Sequence, residues 1–206
     1  MGAKAFQLIK LPEIKARLKK LKGSIVEIGS DRGEKSTQFL NDFAKKHDLD
    51  FFTVDIDDEI YKNAVNICGD KAYQMTGELF LSQYFPKNKK IGFAYLDNFD
   101  FIYEEIIGSK VVLGQIENYK KYGIEMNNEN SKQTHLEQTK LIAENYADDY
   151  CVILFDDTYL NKNGDLDGKG HYAVEYLLEN GWIVIEDNLS IHTDAWFQFV
   201  MLANKD

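Results

Sequence analysis

The segment VEIGSDRGEKST, residues 26–37, contains the residue types from which ligand-binding loops are built. Gly29, Lys35 and Ser36 match the phosphate-binding pattern G-x-x-x-x-G-K-[ST], but Glu34 stands where that pattern has its last glycine. A carboxylate among phosphates is unfavourable because like charges repel strongly in a dry site. The dinucleotide pattern G-x-G-x-x-G fails as well, since no second glycine closely follows Gly29. The segment therefore favours a ligand that places no phosphate here.

The same residues also contain the pattern E-x-G-x-x-x-G, which runs from Glu27 through Gly29 to Gly33. This pattern resembles the first motif of the class I S-adenosylmethionine (SAM)-dependent methyltransferases. An acidic residue at the strand end can hold the ammonium of a ligand that carries an amino-acid group, and the two glycines allow close approach of the backbone. The next strand, FFTVDID, ends with Asp55, at the distance where such folds place an acidic partner for the ribose hydroxyls.

The resemblance extends to the next two strand ends. It implies that Met75 packs on the adenine ring with Thr76 nearby, and that Asp97 lies near the transferred methyl group. The cofactor residues that the resemblance implies are Glu27, Gly29, Ser30, Gly33, Asp55, Ile56, Met75, Thr76 and Asp97. The implied cofactor is SAM.

Three aspartates at strand ends form a second candidate group. Asp97 with Asp156 and Asp157 would supply three oxygen ligands, the hard donors that suit Mg²⁺, Mn²⁺ or Ca²⁺. This set resembles the metal-dependent O-methyltransferases of the catechol type and of methyltransferase family 24, in which a metal orients two substrate oxygens. The resemblance implies methyl transfer to a hydroxyl of a small molecule or sugar. Capping of following helices is the alternative role of these aspartates.

Two departures from the metal-dependent pattern leave alternatives open. Many such enzymes have Asp-Asn where this chain has Asp156 and Asp157, and in family 24 a histidine closely follows the fourth strand. Here the corresponding His135 comes only after a long segment, and it is either a general base for the acceptor hydroxyl or a helix-start residue that faces water. The alternatives are therefore a metal-independent methyltransferase with His135 as base, a non-catalytic SAM-binding subunit, and a phosphate-handling kinase or NTPase.

The elements that must position these residues alternate between short apolar strands and amphipathic helices. Crossover helices between strands predict a parallel sheet, and the last two strands, WIVIED and AWFQFVMLA, predict an antiparallel hairpin. We therefore expect an α/β fold of the Rossmann-like class I methyltransferase type, as a single domain over residues 1–206. An insertion at about 98–134 is too long for an ordinary connection, and we interpret it as a lid over the substrate, with a packing appendage as the alternative.

Composition restricts the partners. The net charge of -10 argues against a nucleic-acid surface, and no apolar run reaches the ~20 residues of a membrane span. The lone Cys68 and Cys151 and the lack of a signal-peptide pattern favour the cytoplasm. The segment NKNGDLDGKG, residues 161–170, fits only half of a calcium loop, so we expect a polar turn there, with Lys169 and His171 at the rim of the substrate site.

Overall fold

The computed structural model describes residue 16 and residues 19–30, 35–189 and 198–205 of the chain. The strands are β1 Ser24–Ile28, β2 Phe51–Asp55, β3 Ala72–Gln74, β4 Ile91–Leu96, β5 Ala147–Asp156, β6 Thr158–Leu160, β7 Leu166–Gly168, β8 Ile183–Asp187 and β9 Phe199–Ala203. The helices are α1 Ser36–Lys46, α2 Asp58–Cys68, α3 Gly77–Leu79, α4 Lys110–Lys121, α5 Asn128–Leu141 and α6 His171–Glu179. Two of them continue as π-helices, α3 through Phe80–Tyr84 and α5 through Ile142–Tyr146.

Seven strands form one sheet in the order β3-β2-β1-β4-β5-β9-β8. β1 through β5 pair in parallel, and β9 pairs antiparallel with both β5 and β8. The parallel strands place their carboxyl ends at one edge of the sheet, which we call the functional edge. The predicted α/β class with a mostly parallel sheet and a C-terminal antiparallel hairpin is confirmed.

Helices cover both faces of the sheet, which explains why β1, SIVEI, is buried along its whole length. Residues alternate along this strand: Val26 and Ile28 pack with α3, α5 and α6, whereas Ile25 packs with α1 on the other face. The first core includes Phe80, Ile142 and Leu177 from those three helices, and burial of such side chains stabilises the layers. No helix among the described residues is both long and apolar enough to cross a membrane.

The insertion at residues 98–134 contains α4 and the first turns of α5. The sequence indicated a possible helix start at His135, but α5 begins at Asn128, where the Asn127 side chain accepts a hydrogen bond from the Asn130 nitrogen. The asparagine-rich stretch is therefore an N-cap and a first turn rather than a loop. The prediction of His135 as a helix-start residue that faces water was wrong, because His135 is fully buried inside the helix.

A small antiparallel hairpin, β6–β7, follows β5, and the sequence did not predict this hairpin. Its turn covers the half calcium loop, where the Asn161 side chain accepts from the backbone nitrogens of Asn163 and Asp165. These bonds fit the predicted polar turn. The segment LPEIKARLKKLKG, residues 11–23, has the apolar spacing that predicts a helix, but most of it lies outside the described residues, as do the first residues of the last predicted strand.

Candidate functional site

Gly29 directly follows β1 and lies against the chain that leaves β4. Its φ is +93°, and a Cβ at this position would lie 2.5 Å from the Asn98 nitrogen. The Asp97 nitrogen also donates to the Ile28 carbonyl at 2.9 Å, which fixes the two strand ends side by side. Because only glycine tolerates both the left-handed backbone and this contact, Gly29 is needed for the shape of the functional edge itself.

Glu27 is fully buried in β1 and anchors the loop that follows. Its Oε2 accepts hydrogen bonds from Thr37 Oγ1 at 2.7 Å and from Thr53 Oγ1 at 2.6 Å. Because the Thr53 hydroxyl proton goes to Glu27, the Ser30 hydroxyl donates in its 2.6 Å contact with Thr53. This chain of hydrogen bonds joins β1, β2 and the start of α1. A direct contact of Glu27 with a ligand ammonium stays a prediction.

Asp55 ends β2, and backbone donors hold its carboxylate. Oδ2 accepts from the Ser30 nitrogen at 3.0 Å, and Oδ1 accepts from the Asp57 nitrogen at 2.8 Å. A carboxylate oxygen has more than one acceptor direction, so the Asp55 carboxylate is chemically suited to the hydroxyl donors of a ligand. Its orientation is thus fixed before any ligand binds.

A cavity of about 350 Å³ lies beside Asp55 at the ends of β1, β2 and β3, within the usual size range of small-ligand sites. Four of the predicted cofactor residues line it: Asp55, Ile56, Met75 and Thr76. Four others, Glu27, Gly29, Ser30 and Asp97, are not part of its lining. Gly33 lies outside the described residues. The structure thus brings the predicted second and third strand ends together around one space.

The lining of this cavity is acidic. It includes Asp55, Asp57, Glu78 and Glu137, and no Lys, Arg or His belongs to it within the described part of the chain. Burial raises the pKa of Glu78, whose Oε1 accepts a hydrogen bond from the Gln138 amide at 3.0 Å. Such a lining attracts cationic groups and repels phosphates.

The insertion forms one wall of the cavity. Asn118 Nδ2 of α4 donates to Asp57 Oδ2 at 3.0 Å, and the Asp58 nitrogen donates to the Tyr122 hydroxyl at 3.1 Å. Asn98 also lines the space, and its solvent-shielded Oδ1 has no hydrogen-bond partner among the described residues. A shielded acceptor without a partner in a cavity wall fits a ligand that brings a donor. Sequence reasoning missed Asn98 and Asn118 as lining residues, because it treated the insertion as a cover for the substrate alone.

At the ends of β4 and β5 lies a second group, the carboxylate–lysine cluster, which consists of Tyr95, Asp97, Asp156, Asp157 and Lys169. Lys169 Nζ lies 2.9 Å from Asp97 Oδ1 and 2.9 Å from Asp157 Oδ2. The Tyr95 oxygen lies 2.5 Å from Asp156 Oδ2 and 3.1 Å from Asp97 Oδ2. The structure thus brings the three predicted aspartates to one place. A lysine, which the sequence had suggested only as a rim residue, joins them.

Protons in this cluster are distributed unequally. Low solvation and the nearby charge of Asp97 raise the pKa of Asp156 well above its usual value. Partial burial opposes ionisation of Asp157, but the Lys169 charge outweighs this effect, so the pKa of Asp157 is lowered. Burial would lower the pKa of Lys169, yet Asp157 and Asp97 raise it well above its usual value. The charged forms of Lys169 and Asp157 therefore stabilise each other, whereas ionisation of Asp156 beside Tyr95 is disfavoured relative to an ordinary carboxyl.

The predicted metal site does not fit this arrangement. Lys169, with its side chain only 3% exposed, already lies between Asp97 and Asp157, and Asp156 is turned to the Tyr95 hydroxyl. Across the described ranges, no group of three or more His, Cys, Asp or Glu side chains is arranged to hold a metal ion. An ammonium supplies positive charge where a divalent ion would supply it, so the two compete for the same carboxylates.

His135 lies near this cluster on α5. Its Nδ1 lies 2.8 Å from the Ser131 carbonyl oxygen, and because a carbonyl only accepts, Nδ1 carries the proton. Nε2 therefore presents a lone pair, and this shielded atom has no partner among the described residues. Burial and the charge of Lys169 lower the pKa of His135 to about 4, so the ring is neutral at physiological pH.

Comparison with known proteins gives matches only at the level of structure. No protein-family model matches the chain, and no curated protein does. SMU.1697c, a Streptococcus mutans protein named as a methyltransferase and crystallised with S-adenosylhomocysteine (SAH), superposes with a TM-score of 0.57 at 12% identity. That match covers 98% of this chain and 99% of the other.

OxaC, crystallised with SAH and oxaline, superposes with a TM-score of 0.54 at 14% identity, over 98% of this chain and 48% of its own length. At such low identities the likeness shows the fold alone. The chain thus has the fold of the class I methyltransferases, with the strand order described above.

Proposed function

We propose that this protein is a SAM-dependent methyltransferase. The observation that supports the proposal most directly is the acidic cavity at the ends of β1, β2 and β3, with the Asp55 carboxylate fixed in its wall by two backbone donors. In open parallel sheets, ligands bind outside the carboxyl ends of the strands, next to the point where the strand order reverses. Here that reversal falls between β1 and β4, directly beside the cavity.

The charge of the cavity favours this cofactor over nucleotides that carry phosphates. Four acidic residues line the space, and the described lining offers no basic side chain to a phosphate. SAM carries a positive sulfonium and an ammonium, and ATP carries several negative charges, so the same field stabilises the first and repels the second. This argument disfavours the kinase or NTPase alternative independently of the Glu34 substitution in the loop.

The residues present fit the cofactor. SAM, when bound, supplies an electrophilic methyl group on its sulfonium. Asp55 would accept hydrogen bonds from the ribose hydroxyls, Met75 would pack on the adenine, and Asn98 Oδ1 would accept from a ligand donor. Gly29 and Glu27 shape and anchor the loop that leads toward the amino-acid end. Asp97, held by Lys169 and Tyr95, borders the acceptor side.

We further propose that the acceptor is a hydroxyl of a small molecule or sugar. The net charge of -10 and the acidic lining disfavour a nucleic acid. The carboxylate–lysine cluster adjoins Asp97 and offers both an ammonium donor and carboxylates for a polar group. In this version of the reaction the metal of the catechol-type enzymes has no role, because Lys169 fills its place.

A general base is the second role that the acceptor side requires. His135 is favoured by its fixed tautomer, since the Ser131 carbonyl holds the proton on Nδ1 and leaves Nε2 to accept one. Its pKa of about 4 means that it accepts a proton only transiently, as a hydroxyl attacks. Loss of turnover in His135→Asn, with the affinity for SAH unchanged, would support this role. Unchanged turnover would contradict it.

Binding of SAH tests the cofactor proposal. Calorimetry and thermal unfolding should show SAH binding with a rise of about 5 °C in melting temperature at saturation, and ATP should give none. Asp55→Asn should weaken SAH binding about 10- to 100-fold, because hydrogen bonds to a charged group are lost. Asp70→Asn, an exposed substitution away from the cavity, is the matched control. Binding of ATP but not of SAH would overturn the proposal.

A measurement of turnover distinguishes the proposed enzyme from the alternative of a non-catalytic SAM-binding subunit. Release of SAH from SAM should be measured across a panel of hydroxylated small molecules and sugars, with Asp97→Asn as the inactive reference. Cofactor binding without methyl transfer to any member of a broad panel would favour the binding subunit.

A further inference from the structure

Lys169 is held in the carboxylate–lysine cluster from both its backbone and its side chain. Its nitrogen donates to the Asp157 carbonyl at 3.0 Å, while its Nζ lies 2.9 Å from the Asp157 carboxylate. The preceding Gly168 has a φ of +92°, and a Cβ there would lie 2.1 Å from the same carbonyl oxygen. The β6–β7 hairpin thus returns the chain directly onto the end of β5.

The strand end itself has an unusual backbone that keeps the carboxylate in place. Asp157 has a φ of +45°, in the left-handed region that residues other than glycine seldom adopt. Its side chain is 42% exposed, whereas the Lys169 side chain is 3% exposed and lies behind it. A left-handed aspartate in front of a buried lysine is a strained arrangement, and such strain is concentrated where a site must be held in one geometry.

Three carboxylates at two strand ends need positive charge nearby. Lys169 supplies such charge, because its Nζ forms ion pairs with both Asp97 and Asp157. An ammonium offers donors in flexible directions, whereas a divalent ion requires several oxygens in a shell around it. The two carboxylates that contact Lys169 are the ones a divalent ion would need first.

We propose that Lys169 is the resident cation of this site, which excludes divalent metals from Asp97 and Asp157, and that its removal converts the site into one that binds them. The exchange of cations can be tested without turnover. The assignment of this cluster to the acceptor side of a methyltransferase rests on the proposed function, whereas the exchange of cations does not. The prediction is specific to Lys169, because the other lysines in the described ion pairs have side chains at least 16% exposed.

Mn²⁺ is the probe, since electron paramagnetic resonance counts its free and bound forms. The wild type and the surface control Lys62→Ala should bind no Mn²⁺ and show unchanged melting temperatures in Mn²⁺ or EDTA. Lys169→Ala should bind one Mn²⁺ and melt about 5 °C higher in excess Mn²⁺ than in EDTA. The double variant Lys169→Ala/Asp157→Asn should lose that response. Lys169→Arg, which keeps the positive charge, should behave as the wild type.

Several outcomes would overturn the inference. The first is that the wild type binds one Mn²⁺ and that Asp97→Asn abolishes this binding. The second is that the Lys169→Ala protein folds but does not respond to Mn²⁺. If Lys169→Ala does not fold, Lys169→Gln is expressed and refolded in Mn²⁺ and in EDTA, and failure in both conditions contradicts the exchange of cations. Binding of SAH is measured in the same samples. Its absence from the wild type would overturn the proposed function and leave the cation exchange standing.

Discussion

The two halves of the functional edge satisfy their carboxylates in opposite ways. At the ends of β2 and β3 lies the cavity, and the carboxylates of Asp55 and Asp57, which belong to the end of β2, accept hydrogen bonds from backbone nitrogens in its wall. Asn118 also donates to Asp57 from the insertion. At the ends of β4 and β5, Asp97 and Asp157 are held by the side chain of Lys169, which fills the space between them. Backbone donors hold a carboxylate from the side of the protein, whereas a long cationic side chain occupies the space in which a ligand would lie.

We call the ends of β2 and β3 the open half of the functional edge, and the ends of β4 and β5 the filled half. The difference between them predicts that substitutions in one half affect ligand binding and that substitutions in the other affect stability. In the open half, a substitution should change ligand affinity more than folding, because the cavity wall keeps its backbone. In the filled half, a substitution should change folding and its pH dependence, because it leaves buried charges without partners. The following predictions test this separation, beginning with the largest effect.

Replacement of Lys169 by Met should lower the free energy of unfolding by about 3–5 kcal/mol at pH 7 in EDTA, since it leaves charged carboxylates without their partner. The matched control is Lys62→Met, whose ion pair with Asp58 is exposed to solvent and should contribute much less to stability. Urea unfolding of both variants measures the difference. Equal losses in the two would mean that the filled half does not depend on its lysine.

Replacement of His135 by Asn should remove a pH dependence. The pKa of His135 is lowered from 6.5 to about 4 in the folded protein, so between these values the unfolded chain binds a proton that the folded protein does not. The free energy of unfolding should therefore fall as the pH drops from 6.5 to 4, by about 3 kcal/mol at 1.36 kcal/mol per pKa unit.

The raised pKa of Asp156 acts in the opposite direction, because there the folded protein binds the proton more tightly than the unfolded chain. The difference between wild type and His135→Asn, measured by urea unfolding at several pH values, isolates the histidine. Parallel pH profiles of the two proteins would show that His135 is not held neutral by its surroundings.

The open half of the edge was largely predictable from the sequence, because its residues lie at the ends of consecutive strands. Asp55 ends β2, Met75 and Thr76 directly follow β3, and a parallel sheet brings such strand ends together without further information. The filled half was not predictable in the same way. Lys169 reaches Asp97 across 72 positions through a hairpin whose polar sequence indicated only a turn.

The sequence predicted the bounds of the insertion but not that it forms one wall of the cavity. Its contact from Asn118 to Asp57 joins residues 61 positions apart, and no local pattern encodes such a pair. The misplaced start of α5 has the same origin, since asparagines that cap a helix resemble a loop in the sequence alone. Long-range polar contacts thus account for most of what the sequence did not reveal.

The smallest predicted effect concerns this wall. Asn118→Ala removes the hydrogen bond to Asp57 Oδ2 and should weaken SAH binding about 3- to 10-fold, mainly through faster dissociation, because one neutral donor to a partly exposed carboxylate is lost. The free energy of unfolding should change by less than about 1 kcal/mol. Glu117→Ala, the exposed neighbour on α4, is the control and should leave both quantities unchanged. Calorimetry and stopped-flow binding measure the affinity and the dissociation rate.

Unchanged affinity with a large loss of stability would place the insertion with the filled half, as packing rather than as a wall of the cavity. Weaker binding at nearly constant stability would place it with the open half, where the cavity is closed by contacts that the ligand can use.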